Sequence, residues 1–204
     1  MAAKRRLFRN QTAEDYAILN VDDPVVAGCK PFIPAQQLAV SLSGSADGRS
    51  SAGRVENGLL VVETEPTGRL EVCRVDELPM PGDHNRRNFL CAALAALLAG
   101  ASVEAMREAI RAFQPAPHLL IPVGTVRGVA FRDDSKATNP ASAIADLKAL
   151  SGEVIVVAGG KDKGADFAEF GDVIAEHAAC AFLIGETRAK IGDVIAGRVP
   201  TRAC

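Results

Sequence analysis

A short polar segment, residues 133–139, carries side chains that could bind an anion. It reads DDSKATN and is followed by Pro140. Asn139 and Pro140 are typical of a helix start, because Asn caps free amides of the first turn and Pro has no amide to satisfy. Lys136 gains nothing from this position, since a helix N-terminus disfavours a cation. An anion bound beside Lys136 would explain it, and Thr138 would add a hydroxyl donor.

A second polar segment, residues 159–166, reads GGKDKGAD and follows the most apolar stretch of the chain. Two successive glycines let the backbone turn tightly or approach a ligand. An ordinary exposed turn with solvated lysines is the alternative. If strands over 129–132 and 154–158 are neighbours, Lys136, Thr138 and Lys163 converge, which predicts a substrate with a carboxylate or phosphate group.

A third motif, His84-Asn85-x-x-Asn88, opens a helical stretch. Residues three apart share a helix face, so Asn85 and Asn88 could form a paired amide surface that reads the edge of a base. Capping of the helix fits the same residues equally well. His118, directly after Pro117, either orders a hinge or touches a ligand, and the sequence leaves both readings open.

Several common catalytic signatures are missing from the sequence. It contains neither G-x-x-x-x-G-K-[ST] nor G-x-G-x-x-G, and it has no G-x-S-x-G or H-E-x-x-H motif. The five cysteines include no C-x-x-C pair, and only three histidines are present. This pattern predicts reduced, packed thiols and no metal site in the chain.

Composition indicates a globular protein and excludes some partner classes. The 204 residues are 48% apolar and 24% charged, with a net charge of −2. One Tyr, no Trp and no basic excess argue against a nucleic-acid partner. No apolar run reaches the roughly 18 residues of a membrane span, and no secretory signal opens the chain, which predicts a cytoplasmic protein without a membrane partner.

The first 83 residues alternate short apolar runs with clusters of Gly, Ser and Pro. The glycine- and serine-rich segment SGSADGRSSAG predicts a break between two of these runs. Several runs are predicted to form antiparallel hairpins, because the breaks are too short for a crossover helix. The predicted strands lie at Tyr16–Leu19, Leu38–Leu42, Leu59–Val62 and Leu70–Cys73.

Two helices are predicted next, and two prolines follow the second of them. The first begins at Asp83 and ends at Gly100, a typical residue after a helix C-terminus. The second is capped by Ser102 and has an apolar stripe for the core, formed by Val103, Met106, Ile110 and Phe113. Pro115 and Pro117 stop this helix and mark the predicted domain boundary.

After the prolines, strands and helices alternate. This order predicts right-handed crossovers and a mostly parallel sheet, which binds ligands at the carboxyl ends of its strands. Strands are predicted near 119–126, 128–132, 153–158 and 181–184, and helices near 140–150, 166–177 and 187–196.

Together the motifs resemble the Mur ligases in order and spacing, over essentially the whole chain. The matching segments are NQTxxDY from Asn10, LNxDDP from Leu19, HNxxN from His84, DSKATN from Asp134 and GGKDK from Gly159. The last two point to the branch that adds D-glutamate. The resemblance implies an α/β fold: residues 1–116 as the C-terminal portion of the central ATPase domain, and residues 117–204 as a partial Rossmann-like domain with a mostly parallel sheet.

The resemblance implies ATP-dependent amide synthesis for peptidoglycan precursors. ATP would phosphorylate the carboxylate of UDP-N-acetylmuramoyl-L-alanine, and the amine of D-glutamate would attack the acyl phosphate. The residue roles follow by the same resemblance. Asn85 and Asn88 would contact the adenine and Asp134 the ribose side of ATP, and the carboxylates of D-glutamate would bind Lys136, Thr138 and Lys163.

The resemblance also implies that this chain is an incomplete ligase, inactive alone and without a phosphate loop. Ligands for Mg²⁺ are expected in the missing part, and the complete enzyme is expected to be a monomer. The alternative is a non-catalytic regulatory module that binds an anion or amino acid. Two residues depart from the family pattern: Leu119 stands where an Arg that reaches the nucleotide phosphates is usual, and Asp133 stands where Asn is usual.

Overall fold

The computed structural model describes residues 2–43, 52–65 and 67–203. The chain divides into two compact units, Met1–Gln114 and Pro115–Cys204. The division lies directly before Pro115, two residues ahead of the boundary predicted after residue 116. Among the described residues, no helix combines the length and the apolar character that crossing a bilayer would need.

The first unit is a five-stranded sheet with two longer helices packed against it. The strands lie in the order β1-β2-β3-β4-β5. Their bounds are β1 Tyr16–Asn20, β2 Gln36–Val40, β3 Gly53–Glu56, β4 Leu59–Thr64 and β5 Gly68–Arg74. The helices are α1 Ala2–Arg5, α2 Pro24–Ala27, α3 Asp83–Leu98 and α4 Val103–Ala112.

The pairing in this sheet is mixed. Strands β3, β4 and β5 form antiparallel hairpins, and the pairing of β4 with β5 confirms a predicted hairpin. The turn between β3 and β4 is Asn57-Gly58 with both φ angles positive, which is the geometry a two-residue hairpin needs. Strands β1 and β2, by contrast, pair in parallel. The physical reason is that the segment between them, which contains α2, is long enough to return the chain to the end of the sheet where β1 began, so β2 runs in the same direction.

Strand β3 was not predicted from the sequence. It begins at the end of the glycine- and serine-rich break. That predicted break falls largely on residues 44–51, which lie outside the described residues.

Helices α3 and α4 build the core of the first unit against the sheet. Leu90 and Leu94 of α3 are fully buried, and Met106 and Ile110 of α4 are buried beside them. Ser102 caps α4 as predicted, its Oγ accepting from the amide of Ala105 at 3.2 Å.

The fourth predicted core residue of α4, Phe113, is exposed. It lies just after the last helical residue, so the helical stripe no longer directs it inward. Its ring packs edge-on against Phe89, with 5.5 Å between ring centroids.

The second unit combines a small hairpin with a three-stranded parallel sheet. The hairpin consists of β6 Ile121–Val126 and β7 Val129–Asp133, and the sheet has the order β10-β9-β8. The remaining bounds are β8 Val154–Gly160, β9 Ala178–Gly185, β10 Thr201–Ala203, α5 Pro140–Ala149, α6 Ala168–His177 and α7 Arg188–Ile195.

The predicted parallel sheet is confirmed for β8 and β9 and extended by β10, which the sequence analysis missed. Strands β6 and β7 pair only with each other among the described residues. They turn through Arg127-Gly128 with both φ angles positive, and this tight turn makes the pair an antiparallel hairpin.

Helices α5, α6 and α7 cover one face of the parallel sheet. Ile144 of α5, Phe170 of α6 and Ile191 of α7 share one buried cluster with Leu183 of β9. Alternate residues of a strand point to opposite faces, so Ile155, Val157 and Ile184 lie on the other face, where they are exposed. The carboxyl ends of β7 and β8 lead into the polar segments of residues 133–139 and 159–166.

Candidate functional site

The segment of residues 133–139 joins β7 to α5 and is held against the residues before β6. The amide of Lys136 donates to the carbonyl of His118 at 2.9 Å. The amide of Leu120 donates to Oδ1 of Asp134 at 3.1 Å. Asn139 caps α5 as predicted, its Oδ1 accepting from the amide of Ser142 at 3.0 Å. The segment is therefore fixed at both ends.

Lys136 and Thr138, predicted to bind the substrate, are both exposed. In the described part of the chain, no acidic side chain forms an ion pair with Lys136. The capped start of α5 follows directly, with the first amides of a helix and their favourable field for a negative charge. The arrangement can bind an anion such as a carboxylate.

His118 and Asp133 form a close pair beside this segment. Nδ1 of His118 lies 2.6 Å from Oδ2 of Asp133, and Oδ1 of Asp133 accepts from the amide of Ser135 at 2.9 Å. The hydrogen bond with His118, followed by those from Ser135, lowers the pKa of Asp133 to about 2. Asp133 is therefore a carboxylate at neutral pH.

Asp134, predicted to lie on the ribose side of ATP, has a second acid as its neighbour. Its carboxyl is hydrogen-bonded to that of Asp146, a residue of α5 that is only 5% exposed. Burial, reinforced by the charge of Asp146, raises the pKa of Asp134 to about 6. Two carboxyls in this arrangement share a proton. The sequence analysis missed Asp146, although an acid next to Ile144 and Leu147 on an apolar helix face was the available signal.

We expect this acid pair to make stability fall as pH rises from about 4 to 6. The raised pKa means that the folded state binds a proton which the unfolded state has already released in this window. Stability from the pair is therefore complete below pH 4 and lost above pH 6. The unfolding free energy of the wild type, measured with urea, should therefore fall between pH 4 and pH 7. In Asp146→Asn this fall should be smaller than in the wild type by about 1–2 kcal/mol.

The matched control for this measurement is Asp193→Asn. Asp193 is an exposed acid on α7, so its replacement should leave the pH dependence unchanged. Equal pH dependence in Asp146→Asn and the wild type would show that the two carboxyls do not share a proton.

The segment of residues 159–166 leaves the carboxyl end of β8, where two glycines pass close to β9. Gly159 has a φ of +131°, and a Cβ there would lie 2.0 Å from the carbonyl oxygen of Ile184. Gly160 has a φ of +142° and open space around the Cβ position. The predicted uses were a tight turn or close approach to a ligand; what the structure shows at Gly159 is close approach to the neighbouring strand.

Asp162 ties this segment to the residues after β9. Its amide donates to Oε2 of Glu186 at 3.0 Å, and its Oδ2 accepts from Nζ of Lys190 at 2.5 Å. Its Oδ1 accepts from the amide of Gly164 at 2.8 Å. The bond from Lys190 and then that from Gly164 lower the pKa of Asp162. Lys163 is exposed next to this fixed turn.

The predicted meeting of the two segments relied on β7 and β8 being neighbours. Among the described residues, β7 pairs with β6 alone and β8 with β9 alone, so this premise is wrong. The physical reason is the tight Arg127-Gly128 turn, which keeps β7 in its own hairpin. Convergence of Lys136, Thr138 and Lys163 on one ligand stays a prediction.

Asn85 and Asn88, predicted to contact adenine, lie near the start of α3. Asn85 is only 5% exposed, and its Nδ2 donates to the carbonyl of Pro81 at 2.7 Å. Asn88 is exposed. The two amides therefore do not form one exposed surface, because the side chain of Asn85 turns back to hold the segment before the helix. Neither reading of this motif is confirmed: α3 has no side-chain cap, and the Nδ2 of Asn85 donates to a carbonyl that precedes the helix.

A polar network that sequence reasoning missed lies at the carboxyl ends of β1 and β2. The Asp22 side chain is 11% exposed and accepts from Nε of Arg87 at 2.9 Å. Burial raises its pKa, but the hydrogen bonds outweigh burial and hold the pKa well below its ordinary value. The other donors are Ser41, Leu42 and Ser43. The LNxDDP segment was the signal for this network, which joins α3 to the sheet.

The position of Leu119, where the family resemblance implies an arginine, offers no cation. Leu119 is half-buried, and the nearby guanidinium of Arg132 donates to the carbonyl of Leu120 at 3.3 Å. Across residues 2–43, 52–65 and 67–203, no three His, Cys, Asp or Glu side chains cluster in a way that could hold a metal ion. The residues that the structure describes therefore do not form a Mg²⁺ site.

Comparison with known proteins finds two matching family models. The Mur ligase middle domain matches residues 1–96, and the domain described as "Mur ligase, glutamate ligase domain" matches residues 120–203. These matches fall on the two structural units in turn.

Similar curated proteins carry the name UDP-N-acetylmuramoylalanine–D-glutamate ligase. The protein of Symbiobacterium thermophilum is 34% identical over 193 residues, which is 95% of this chain and 42% of that protein. That of Solibacter usitatus is 38% identical over 201 residues, 98% of this chain and 43% of that protein. The chain thus spans about two fifths of the length of these relatives.

Solved structures with the same fold are also found. MurF from Acinetobacter baumannii has a TM-score of 0.73 and 21% identity, over 99% of this chain and 45% of that chain. MurF ligase from Thermotoga maritima, solved in complex with ADP, has a TM-score of 0.65 and 15% identity, over 100% of this chain and 47% of that chain. At these identities the likeness shows the fold alone.

Proposed function

Because the chain belongs to the Mur ligase family, we propose that it forms part of an ATP-dependent ligase that joins D-glutamate to UDP-N-acetylmuramoyl-L-alanine. Family membership rests on two domain matches that together span most of the chain. One observation carries the choice of substrate: relatives named for D-glutamate addition match 92–98% of this chain at 34–38% identity.

The chemistry of this reaction explains why cations are needed. A carboxylate is a poor electrophile until ATP converts one oxygen into a phosphate leaving group, and negative charge accumulates during the transfer. In the proposal, Lys136, Thr138 and Lys163 hold the carboxylates of D-glutamate by charge-assisted hydrogen bonds. The exposure of all three side chains supports this role.

ATP is the proposed co-substrate, with Asn88 and the amide of Asn85 towards the adenine and Asp134 towards the ribose. The exposed side chain of Asn88 can reach a base directly, whereas the buried Asn85 would act mainly by shaping the start of α3. The proposal needs neither a nucleic acid nor a membrane as partner. It places the ligase in the cytoplasm, as a monomer, where ATP and nucleotide-linked precursors are present.

A hybrid ligase tests the proposed function. In it, residues 1–204 replace the matching 43% of the Solibacter usitatus relative. We expect the purified hybrid to form product and phosphate from ATP, UDP-N-acetylmuramoyl-L-alanine and D-glutamate, and to be inactive with L-glutamate. The isolated 204-residue chain should hydrolyse no ATP.

A second measurement does not depend on the hybrid. Titration of the isotope-labelled chain with D-glutamate should shift the backbone amide signals of residues 136–139 and 161–164, and L-glutamate should shift them less. A folded hybrid without D-glutamate ligase activity would contradict the proposal. ATP turnover by the isolated chain would contradict the view that it is only a part of the enzyme.

A further inference from the structure

The imidazole of His118 is exposed but held in one orientation. The side chain is 62% exposed, yet its ring is not free to turn, because Nδ1 lies 2.6 Å from Oδ2 of Asp133. The backbone is fixed too: the carbonyl of His118 accepts from the amide of Lys136, and φ of His118 is +67°. In the described part of the chain, no residue is bonded to Nε2. One ring nitrogen is held and the other faces solvent.

The held nitrogen decides the protonation pattern of the ring. A carboxylate can only accept a hydrogen bond, and Asp133 is ionised because its pKa is lowered to about 2. Nδ1 must therefore carry a hydrogen. In the neutral ring Nε2 then presents its lone pair to solvent, which is the arrangement of a histidine that accepts protons.

The reaction proposed above requires such an acceptor. The amine of D-glutamate is an ammonium ion at neutral pH, and nitrogen without a lone pair cannot attack an acyl phosphate. Forming the amide removes two protons from that nitrogen. General bases in proteins are most often histidines with an oriented ring.

We propose that Nε2 of His118 accepts the proton that the D-glutamate amine loses before attack, and that Asp133 is the positioning residue that fixes the tautomer of His118. This inference rests on the proposed function. One ammonium proton passes to Nε2, and the freed lone pair forms the C–N bond. The C–O bond to the phosphate breaks, and the phosphate leaves with that electron pair and takes up the second proton.

The surroundings of the ring favour this role. The backbone hydrogen bond from Lys136 to His118 keeps the proposed acceptor next to the lysine proposed to bind a carboxylate. An amino acid carries its amine and its α-carboxylate on one carbon, so the two groups need neighbouring partners. The charged side chain in contact with the ring is Asp133, and Arg132, Asp134 and Lys136 are its charged neighbours along β7 and the segment after it. After transfer, the carboxylate of Asp133 stabilises the imidazolium.

A spectroscopic test uses the 204-residue chain itself. Long-range ¹H–¹⁵N spectra of histidine-labelled protein at pH 8 should show His118 with the hydrogen on Nδ1. Asp133→Ala should abolish this preference, and Asp133→Asn should retain it, because an amide oxygen can also accept from Nδ1. His177, whose Nε2 is 3.8 Å from Glu176, is the internal control and should not change. A hydrogen on Nε2 of wild-type His118 would overturn the assignment.

A kinetic test in the hybrid ligase separates proton acceptance from a structural role. His118→Gln should lower kcat with D-glutamate at least tenfold and change its KM little. Hydroxylamine, an amine largely unprotonated at neutral pH, should trap the acyl phosphate at the same rate in both proteins. Equal losses with both nucleophiles would overturn this inference and leave the proposed function intact. No product from D-glutamate in the unmutated hybrid would instead refute the proposed function.

Discussion

Gly159→Ala should destabilise the protein by about 3 kcal/mol or more, the largest stability change we expect from a single methyl group. The backbone at Gly159 has a φ of +131°, which an L side chain rarely adopts. The added Cβ would also lie 2.0 Å from the carbonyl oxygen of Ile184. Relief requires moving the backbone of β9, the strand to which β8 is paired.

Thermal unfolding followed by circular dichroism measures this effect, with Gly124→Ala as the matched control. Gly124 lies in β6 with no positive φ and with open space where a Cβ would be placed. For a unit of this size, 3 kcal/mol lowers Tm by roughly 10 °C or more, whereas the control should change stability by less than about 1 kcal/mol. A Gly159→Ala protein as stable as the control would show that β8 and β9 do not approach as described.

Lys136→Ala and Lys163→Ala should each lower kcat/KM for D-glutamate at least tenfold in the hybrid ligase. Each change removes one charge-assisted contact to a carboxylate, worth about 1.5–3 kcal/mol, and 1.4 kcal/mol corresponds to a factor of ten. The KM for ATP should change little, because neither lysine is proposed to bind the nucleotide. Steady-state kinetics with D-glutamate as the varied substrate measures the effect.

Two control lysines make this result specific. Lys148 is exposed in the last turn of α5, and Lys161 is exposed in the same segment as Lys163. Alanine at either position removes one positive charge and should leave kcat/KM within about twofold, if contact rather than net charge is what matters. Wild-type kinetics in both Lys136→Ala and Lys163→Ala would refute the proposed D-glutamate site.

Local sequence rules predicted most helices and strands correctly. Ser102 and Asn139 cap α4 and α5, and Gly100 follows the end of α3 with a positive φ. These features depend on residues within one turn of each other, so nearest neighbours along the chain are sufficient to predict them. Strands β3 and β10 escaped prediction because each is short and has no clear apolar alternation of its own.

In the candidate site, local sequence rules do not predict the contacts between residues that are distant along the chain. Lys136 and Lys163 could be singled out as lysines that no structural role explained, and the structure finds both exposed. Nothing near Asp162 in sequence pointed to its bonds with Glu186 and Lys190, which lie more than twenty residues away. Contacts over such separations depend on which strands become neighbours.

By itself the sequence determined the kind of protein: an alternating α/β chain with Mur ligase motifs in order and two lysine-bearing segments after strands. Only the tertiary structure decided that β1 and β2 run parallel, that β7 stays in its own hairpin, and which acids meet. Asp133 came to face His118, whereas Asp134 came to share a proton with Asp146. Adjacent residues thus acquired opposite pKa shifts, because the pKa of a side chain follows its burial and its partners in space, and these are unknown until the chain has folded.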